Sequence, residues 1–331
     1  MSMKKNRKSL IGWIIVVVLS IFVFISPNFL SRYQMNIAIT ILSTAYLAQC
    51  WNLMSGFTGQ FSFGHAAFYG LGAYTSSLLY VDYGITPWVG MLIGMVVAGL
   101  VAALIGYLSF HYNLKGDYFA LATLAFAEIL RVIFKNTKAF KAAAGVSITY
   151  KKDIGVLQFS SKAGYMYMIF IMLLLITLGI YFLKKTKVGL YFVAIRENED
   201  AAKALGINAF KYKMIGLIAS AMLTALAGTF YSQYYLYIDS TIVFGSTVST
   251  NAITPCIIGG VGTVLGPILG AFIIQPISLI TNAYLSKYVG LNMVVYGLIL
   301  CLVIILMPNG VLGLIKKGRA KVASRRNGGA K

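Results

Sequence analysis

Long apolar runs and scarce charge are the features that most constrain how this chain can fold. Charged residues make up 11% of the 331 positions, whereas hydrophobic residues make up 59%. A soluble domain carries about 25% charged residues, which cover its surface. A chain with so few must expose most of its surface to lipid. Because a helix needs roughly 20 apolar residues to cross the bilayer core, the sequence predicts an all-α, polytopic bundle of transmembrane helices.

The apolar runs, bounded by charged or turn residues, predict about ten membrane spans. They lie at 10–26, 34–54, 61–81, 87–110, 118–134, 165–183, 214–235, 246–258, 263–282 and 291–307. A glycine-rich interruption separates the eighth from the ninth, and the two count as separate crossings. We therefore predict one membrane domain at 10–314, between a basic amino terminus at 1–9 and a basic tail at 315–331.

The positive charge is concentrated between and beyond the apolar runs. The net charge is +20, and basic clusters in 1–9, 184–213 and 315–331 would contact anionic lipid on the cytoplasmic side. This distribution argues against nucleic-acid binding. It predicts a multi-pass plasma-membrane protein with both termini in the cytoplasm and a cytoplasmic loop at 184–213. The external loop would be 135–164, although its many lysines depart from the positive-inside rule.

The sequence offers no constellation for catalysis or metal binding. Cys50, Cys256 and Cys301 lie far apart without metal-ligand spacing, and the chain has two histidines. A membrane-embedded enzyme would need paired catalytic groups. No P-loop of the form Gly-x-x-x-x-Gly-Lys-Ser/Thr occurs in the sequence. We predict no catalytic residue, no metal and no cofactor in this chain.

Two glycine-rich segments, one in each half of the chain, predict interrupted helices. Many transporters build a pathway from such segments, whereas close helix packing through small residues is the alternative. His65 is either a proton relay or a hydrogen-bonded packing residue. Glu128 is either a pathway group or a structural partner, whether of a neighbouring helix or of Arg131, which lies three positions further on the same helix face. The candidate pathway residues are Asn52, Gly56, Thr58, Gly59, Gln60, Ser62, Gly64, His65, Glu128, Gly259, Gly260, Gly262, Gly266 and Pro267.

A charged segment between two strong spans predicts a short exposed helix. Asn198 is a suitable cap, the acidic residues after it suit the first turn, and Gly206 suits the end. Ala201, Ala202 and Leu205 would form a small apolar face, which favours docking on another protein over a plain solvated loop. The candidate coupling residues are Arg196, Glu197, Asn198, Glu199, Asp200, Ala201, Ala202, Leu205 and Gly206.

The region containing this segment resembles the cytoplasmic coupling loop of branched-chain amino acid ABC transporter permeases, in particular LivM-like subunits. Two further blocks carry the resemblance, WNLMSGFTGQFSFGHAAF at 51–68 and IGGVGTVLGP at 258–267, together with MPNG at 307–310. The resemblance covers about 45–314 and leaves 1–30 and 136–163 without a matching motif.

The resemblance implies a type II ABC importer-like permease in a bacterial plasma membrane. Such a subunit imports branched-chain or other hydrophobic amino acids and couples through the loop helix to separate ATPase subunits, which bind the ATP. It implies two further partners, a homologous second permease and an extracellular substrate-binding protein. Two alternatives stay open: an ABC permease for urea or short amides, and an ion-coupled secondary amino-acid carrier. The carrier would need intramembrane carboxylates, and Glu128 alone lies clearly inside a predicted span.

Overall fold

The computed structural model describes residues 27, 29–285, 294, 297, 298, 305 and 310–313. The predicted span 10–26 and the tails 1–9 and 315–331 lie outside the described residues. The predicted span 291–307 lies outside them too, apart from four isolated positions.

The described part of the chain is built mainly of helices. In chain order they are α1 (Arg32–Trp51), α2 (His65–Tyr83), α3 (Pro87–His111), α4 (Asp117–Asn136), α5 (Lys162–Leu183), α6 (Lys187–Glu197), α7 (Glu199–Ala204), α8 (Ala209–Tyr235), α9 (Ser240–Val243), α10 (Ser246–Gly259) and α11 (Gly266–Leu285). Short 3₁₀ turns lie at Lys138–Phe140, Ala142–Ala144 and Ile154–Val156, and the strands are β1 (Val146–Ser147) and β2 (Tyr237–Ile238).

Five helical stretches are long and apolar enough to cross a membrane. They are Arg32–Gly56, Pro87–His111, Lys162–Leu183, Ala209–Tyr235 and Ser240–Gly259, and Gly266–Thr281 is a shorter apolar helix. This confirms a mostly helical, multi-pass membrane fold. The described residues contain fewer spans than the predicted ten, because α2, α4 and the shorter α11 fall outside this set and two predicted spans are not described.

Helices α2, α3 and α8 pack together through small residues. A Cβ atom at Gly72 would lie 2.1 Å from the carbonyl oxygen of Ala225, and one at Gly228 would lie 2.0 Å from that of Tyr69. These backbones therefore approach more closely than any side chain would allow. For these two glycines, close helix packing is the observed role.

A second group consists of α1, α5, α10 and α11. Helix α1 continues into a π-helical turn at Asn52–Gly56, and such turns are frequent at functional sites. Helices α10 and α11 are in backbone contact, since a Cβ atom at Gly259 would lie 1.7 Å from the oxygen of Gly266. The glycine-rich interruption thus separates two helices that fold back on each other, as the sequence predicts.

The connections collect at two ends of the bundle. At one end, the segment with α6 and α7 meets the α3–α4 turn through Lys115 and Asp200, whose charged atoms are 3.5 Å apart. At the other end, β1 and β2 pair antiparallel, and Lys141 Nζ lies 2.7 Å from an Asp82 carboxylate oxygen. The loops at 135–164 and 184–213 therefore lie at opposite ends of the bundle.

Candidate functional site

The predicted short helix of the candidate coupling segment is present and forms through local capping. Helix α7 is Glu199–Ala204, and the Asn198 side chain accepts a hydrogen bond from the amide of Ala201 at 3.0 Å. Gly206 takes a positive φ of 83° just after the helix, as a terminating glycine does. Helix α6 comes before it and was not predicted, although Thr186 caps α6 through the amide of Gly189.

Glu199 fixes α7 onto the start of α8. Its carboxylate lies 2.8 Å from Lys203 Nζ and 2.5 Å from Lys213 Nζ. The side chain of Lys213 is 4% exposed and that of Glu199 is 14% exposed. Burial acts to raise the pKa of Glu199, but the hydrogen bonds and charges of the two lysines outweigh it, so this pKa lies below its ordinary value.

The predicted apolar face of this helix is present in part, since Ala202 is buried whereas Ala201 and Leu205 are exposed. Ala202 is 3% exposed and packs in a small cluster with Ile195 and Ala209. Leu205 is 82% exposed, and Ala201 is exposed as well. Because α7 docks on α8 through Glu199 and Ala202, the leucine points away from the bundle.

The two glycine-rich segments meet at Asn52. Asn52 Oδ1 accepts a hydrogen bond from the amide of Gly262 at 2.8 Å, and Nδ2 donates one to the carbonyl of Thr263 at 2.9 Å. Gln49 donates to the carbonyl of Val264 at 2.7 Å. Gly262 has a φ of 71°, a conformation that favours glycine. The turn between α10 and α11 is therefore held by side chains at the end of α1.

Four other candidate pathway side chains are buried, and three of them, Thr58, Ser62 and His65, form hydrogen bonds. Thr58, Ser62 and His65 are all 0% exposed, and Gln60 is 7% exposed. His65 Nε2 lies 2.9 Å from Ser220 Oγ, which donates to the carbonyl of Cys50 at 2.6 Å. His65 thus sits as a hydrogen-bonded packing residue in this structure. A pathway role for these four side chains stays a prediction.

The glycines and the proline of the candidate pathway set occupy turns and helix contacts. A Cβ atom at Gly64 would lie 2.9 Å from Thr123, and Gly59 and Gly260 have positive φ angles. Gly266 and Pro267 are the first two residues of α11.

Glu128 lies apart from this cluster, on the exposed side of α4. It forms an ion pair with Arg131, and the two side chains are 54% and 31% exposed. The predicted pairing is therefore present. The leucine, isoleucine and valine side chains that flank the pair on α4 are exposed too, at positions 121, 124, 129 and 132.

Two groups were missed by the sequence reasoning. Lys213 was placed in a loop, but α8 begins at Ala209, so Lys213 lies in a helix and buries its side chain. Gln49 is a fully buried amide in an apolar helix. A lone amide in an apolar run is a usable signal for a helix-to-helix hydrogen bond. The partner of Lys213, in contrast, is 14 residues away and has no periodic relation to it.

A cavity of about 330 Å³ opens between α1, α8, α10 and α11. Its polar groups are hydroxyls and amides, including those of Thr44, Tyr231, Asn251 and Gln275. Its described lining holds no charged side chain. This cavity was not predicted, because its lining combines helices as far apart in the chain as α1 and α11.

Asn52→Asp is expected to destabilise the protein by about 2 kcal/mol, because a carboxylate oxygen replaces the donor to Thr263 and leaves that carbonyl without its bond. The measurement is the melting temperature of the purified protein in detergent. Asn36→Asp is the matched control, since its Oδ1 accepts from the Tyr234 hydroxyl and that acceptor is kept. Equal melting temperatures for the two variants would contradict the role of Asn52.

Comparison with known proteins finds one family and several of its members. The chain matches the family described as "Branched-chain amino acid transport system / permease component" over residues 33–304. It is 26% identical over 328 residues to the "High-affinity branched-chain amino acid transport system permease protein LivM" of Escherichia coli K12, covering 89% of this chain and 75% of that protein. It is 25% identical over 302 residues to the corresponding LivH protein of Salmonella typhimurium, covering 85% and 94%.

Further matches were found as well. A "Probable branched-chain amino acid transport permease protein LivH" of Methanocaldococcus jannaschii is 26% identical over 265 residues, covering 74% of this chain and 80% of that protein. Among solved structures, the chain is similar to "PsaBC from Streptococcus pneumoniae in complex with Fab", with a TM-score of 0.47 and 14% identity, over 85% of this chain and 94% of that chain. Because the family match at 33–304 runs from α1 to beyond α11, this chain belongs to the branched-chain amino acid transport permease family.

Proposed function

We propose that this chain is a LivM-like permease subunit of an ATP-driven importer for branched-chain or other hydrophobic amino acids. Family membership and the transport function for which the LivM and LivH relatives are named support the substrate class. The match to LivM, which extends over 89% of this chain, supports the LivM-like assignment. In this proposal the chain is a transport subunit, and the ATP is bound by a separate partner.

The coupling segment at 184–213 is the proposed contact with the ATPase. The observation that carries this is the 82% exposed Leu205 at the end of α7, on a helix that is itself fixed to the bundle. An exposed leucine beside charged groups is suited to the centre of a protein contact. Because Glu199 ties α7 to α8, force applied to the leucine is transmitted into a long helix of the bundle.

The end with α6 and α7 is the cytoplasmic end in this proposal. The lysines around 184–187 would then lie against anionic lipid head groups. Both chain termini would lie on the same side. The opposite end, with β1, β2 and the lysine-rich loop, would face the extracellular substrate-binding protein.

The translocation pathway is proposed to lie beside α4, between this chain and a homologous second permease. An ion pair at membrane depth is costly in lipid and usually faces a protein interior or water. The Glu128–Arg131 pair on the exposed side of α4 therefore favours a protein or water neighbour there.

Leu205→Asp is expected to reduce co-purification of the ATPase with this chain by about tenfold or more, because a charge at the centre of a contact is costly to bury. The measurement is the amount of ATPase recovered on the tagged permease from membranes that contain all subunits. Ile154→Asp is the matched control, since Ile154 is 67% exposed at the opposite end and its substitution is expected to leave recovery unchanged.

Substrate uptake separates this proposal from the alternatives. The complex in vesicles is expected to take up leucine only when ATP is supplied. Uptake by this chain alone, driven by an ion gradient and unaffected by Leu205→Asp, would contradict the proposal and indicate a secondary carrier. ATP-dependent uptake of urea or a short amide without uptake of leucine would correct the substrate class alone.

A further inference from the structure

We infer that Arg196 is the positioning residue that joins the coupling segment to the two interrupted helices, at the end of α1 and at the α10–α11 turn. This inference rests on the proposed function, since it assigns a role within ATP-coupled transport. It starts from a hydrogen bond between the candidate coupling residues and the candidate pathway residues. Arg196 Nη1 donates a hydrogen bond to the carbonyl of Gly56, at 3.0 Å, across 140 positions of sequence.

The guanidinium of Arg196 is held from two sides. Its Nε and Nη2 donate to one carboxylate oxygen of Glu197, at 3.1 Å and 2.5 Å. Its Nη1 reaches the π-helical turn at the end of α1. A planar group with donors on both edges can bind two acceptors in a fixed geometry. The side chain is 31% exposed, so it lies at the boundary between the coupling segment and the bundle.

The glycines around this group leave the space that it occupies. A Cβ atom at Gly262 would lie 2.2 Å from Arg196 Nη1 and 2.7 Å from the Gly56 oxygen. A Cβ atom at Gly59 would lie 2.8 Å from Arg196 Cγ. The positive φ angles of Gly59 and Gly262, at 75° and 71°, also favour glycine. The arginine is therefore enclosed by both glycine-rich segments rather than resting on one of them.

A chain of hydrogen bonds connects Arg196 to both interrupted helices. Gly56 ends the π-helical turn that extends α1. In the same turn, Asn52 binds the amide of Gly262 and the carbonyl of Thr263. The Thr263 hydroxyl accepts from the amide of Gly266 at 3.1 Å, at the start of α11. A displacement of α6 must therefore move the α1 end and the α10–α11 turn with it, or break the bond to Gly56.

The role of Arg196 is tested in the complete complex, reconstituted in vesicles with its ATPase, second permease and binding protein. The variant is Arg196→Met, which keeps the aliphatic part of the side chain and removes the donors. ATP hydrolysis is expected to stay within about twofold of wild type, while uptake per ATP hydrolysed falls by about tenfold, a usual size for coupling between two sites. A residue with a purely structural role would lower hydrolysis and uptake together.

A second variant disturbs the same contact by changing a glycine that packs against the Arg196 side chain. Gly262→Ala places a methyl group where the guanidinium lies, so it is expected to give the same loss of uptake per ATP hydrolysed. Gly179→Ala is its matched control, because nothing lies within 4 Å of a Cβ atom there. This control is expected to keep the wild-type ratio of uptake to hydrolysis.

The remaining outcomes overturn the inference. An Arg196→Met complex that assembles and keeps the wild-type ratio would show that the contact carries no coupling. Loss of assembly, or a parallel fall of hydrolysis and uptake, would assign Arg196 to docking or folding instead. If the wild-type complex itself shows no ATP-dependent uptake, the proposed function fails and this inference falls with it.

Discussion

Gly228→Ala is expected to destabilise the protein by about 3 kcal/mol, because the added methyl group overpacks a closed helix contact. The Cβ atom would lie 2.0 Å from the carbonyl oxygen of Tyr69 and 2.9 Å from the amide nitrogen of Ala73. Both are backbone atoms of α2, so neither can turn away as a side chain would. The relief of this clash requires that α2 and α8 separate, which loosens the helix pair at the centre of the bundle.

The measurement is thermal unfolding of the purified protein in detergent. Gly179→Ala is the control, since it makes the same chemical change in α5 at a position with nothing within 4 Å. Alanine favours a helix over glycine by about 1 kcal/mol, so this variant is expected to melt at or above the wild-type temperature. Similar melting temperatures for the two variants would rule out the close contact between α2 and α8.

Local signals in the sequence were sufficient to predict several elements. The cap by Asn198 and the stop at Gly206 depend on neighbours within a few positions, so α7 was predicted correctly. The Glu128–Arg131 pair was predicted in the same way, because residues three positions apart lie on one face of a helix. Helix α6 was missed although Thr186 caps it, because its residues lie in a segment that was interpreted as a loop between spans.

Long-range contacts could not be predicted in this way. Asn52 and Gly262 are 210 positions apart, and His65 and Ser220 are 155 apart. The two glycine-rich segments were identified, but nothing in either segment specifies the other as its partner. The direction of the Leu205 side chain could not be predicted from the sequence either, because it depends on how α7 docks on α8. Arg196 could be assigned to the coupling set, but its contact with Gly56 appears only once the helices are packed.

The docking of α7 on α8 leads to the second large expected effect. Glu199→Lys is expected to destabilise this docking by about 4 kcal/mol, because it removes the acidic partner of a buried ammonium group and adds a like charge. Lys213, with 4% of its side chain exposed, cannot turn to solvent while α7 stays in place. Helix α7 should therefore detach while the bundle remains folded. Asp200→Lys makes the same charge change one position later, where the side chain is 80% exposed, and is expected to change the stability by less than about 1 kcal/mol.

Amide hydrogen exchange of the segment 199–206 measures this detachment directly. Exchange in Glu199→Lys is expected to be faster than in wild type by about a thousandfold, which corresponds to about 4 kcal/mol of local stability. The wild-type docking should also depend on pH. Since the pKa of Glu199 lies below its ordinary value in the folded protein, its contribution is complete above the unfolded pKa and is lost as the pH falls through the folded pKa. Equal exchange in the Glu199→Lys and Asp200→Lys variants would contradict this role. It would then follow that Ala202 and its apolar neighbours, rather than the buried ion pair, hold the coupling helix in place.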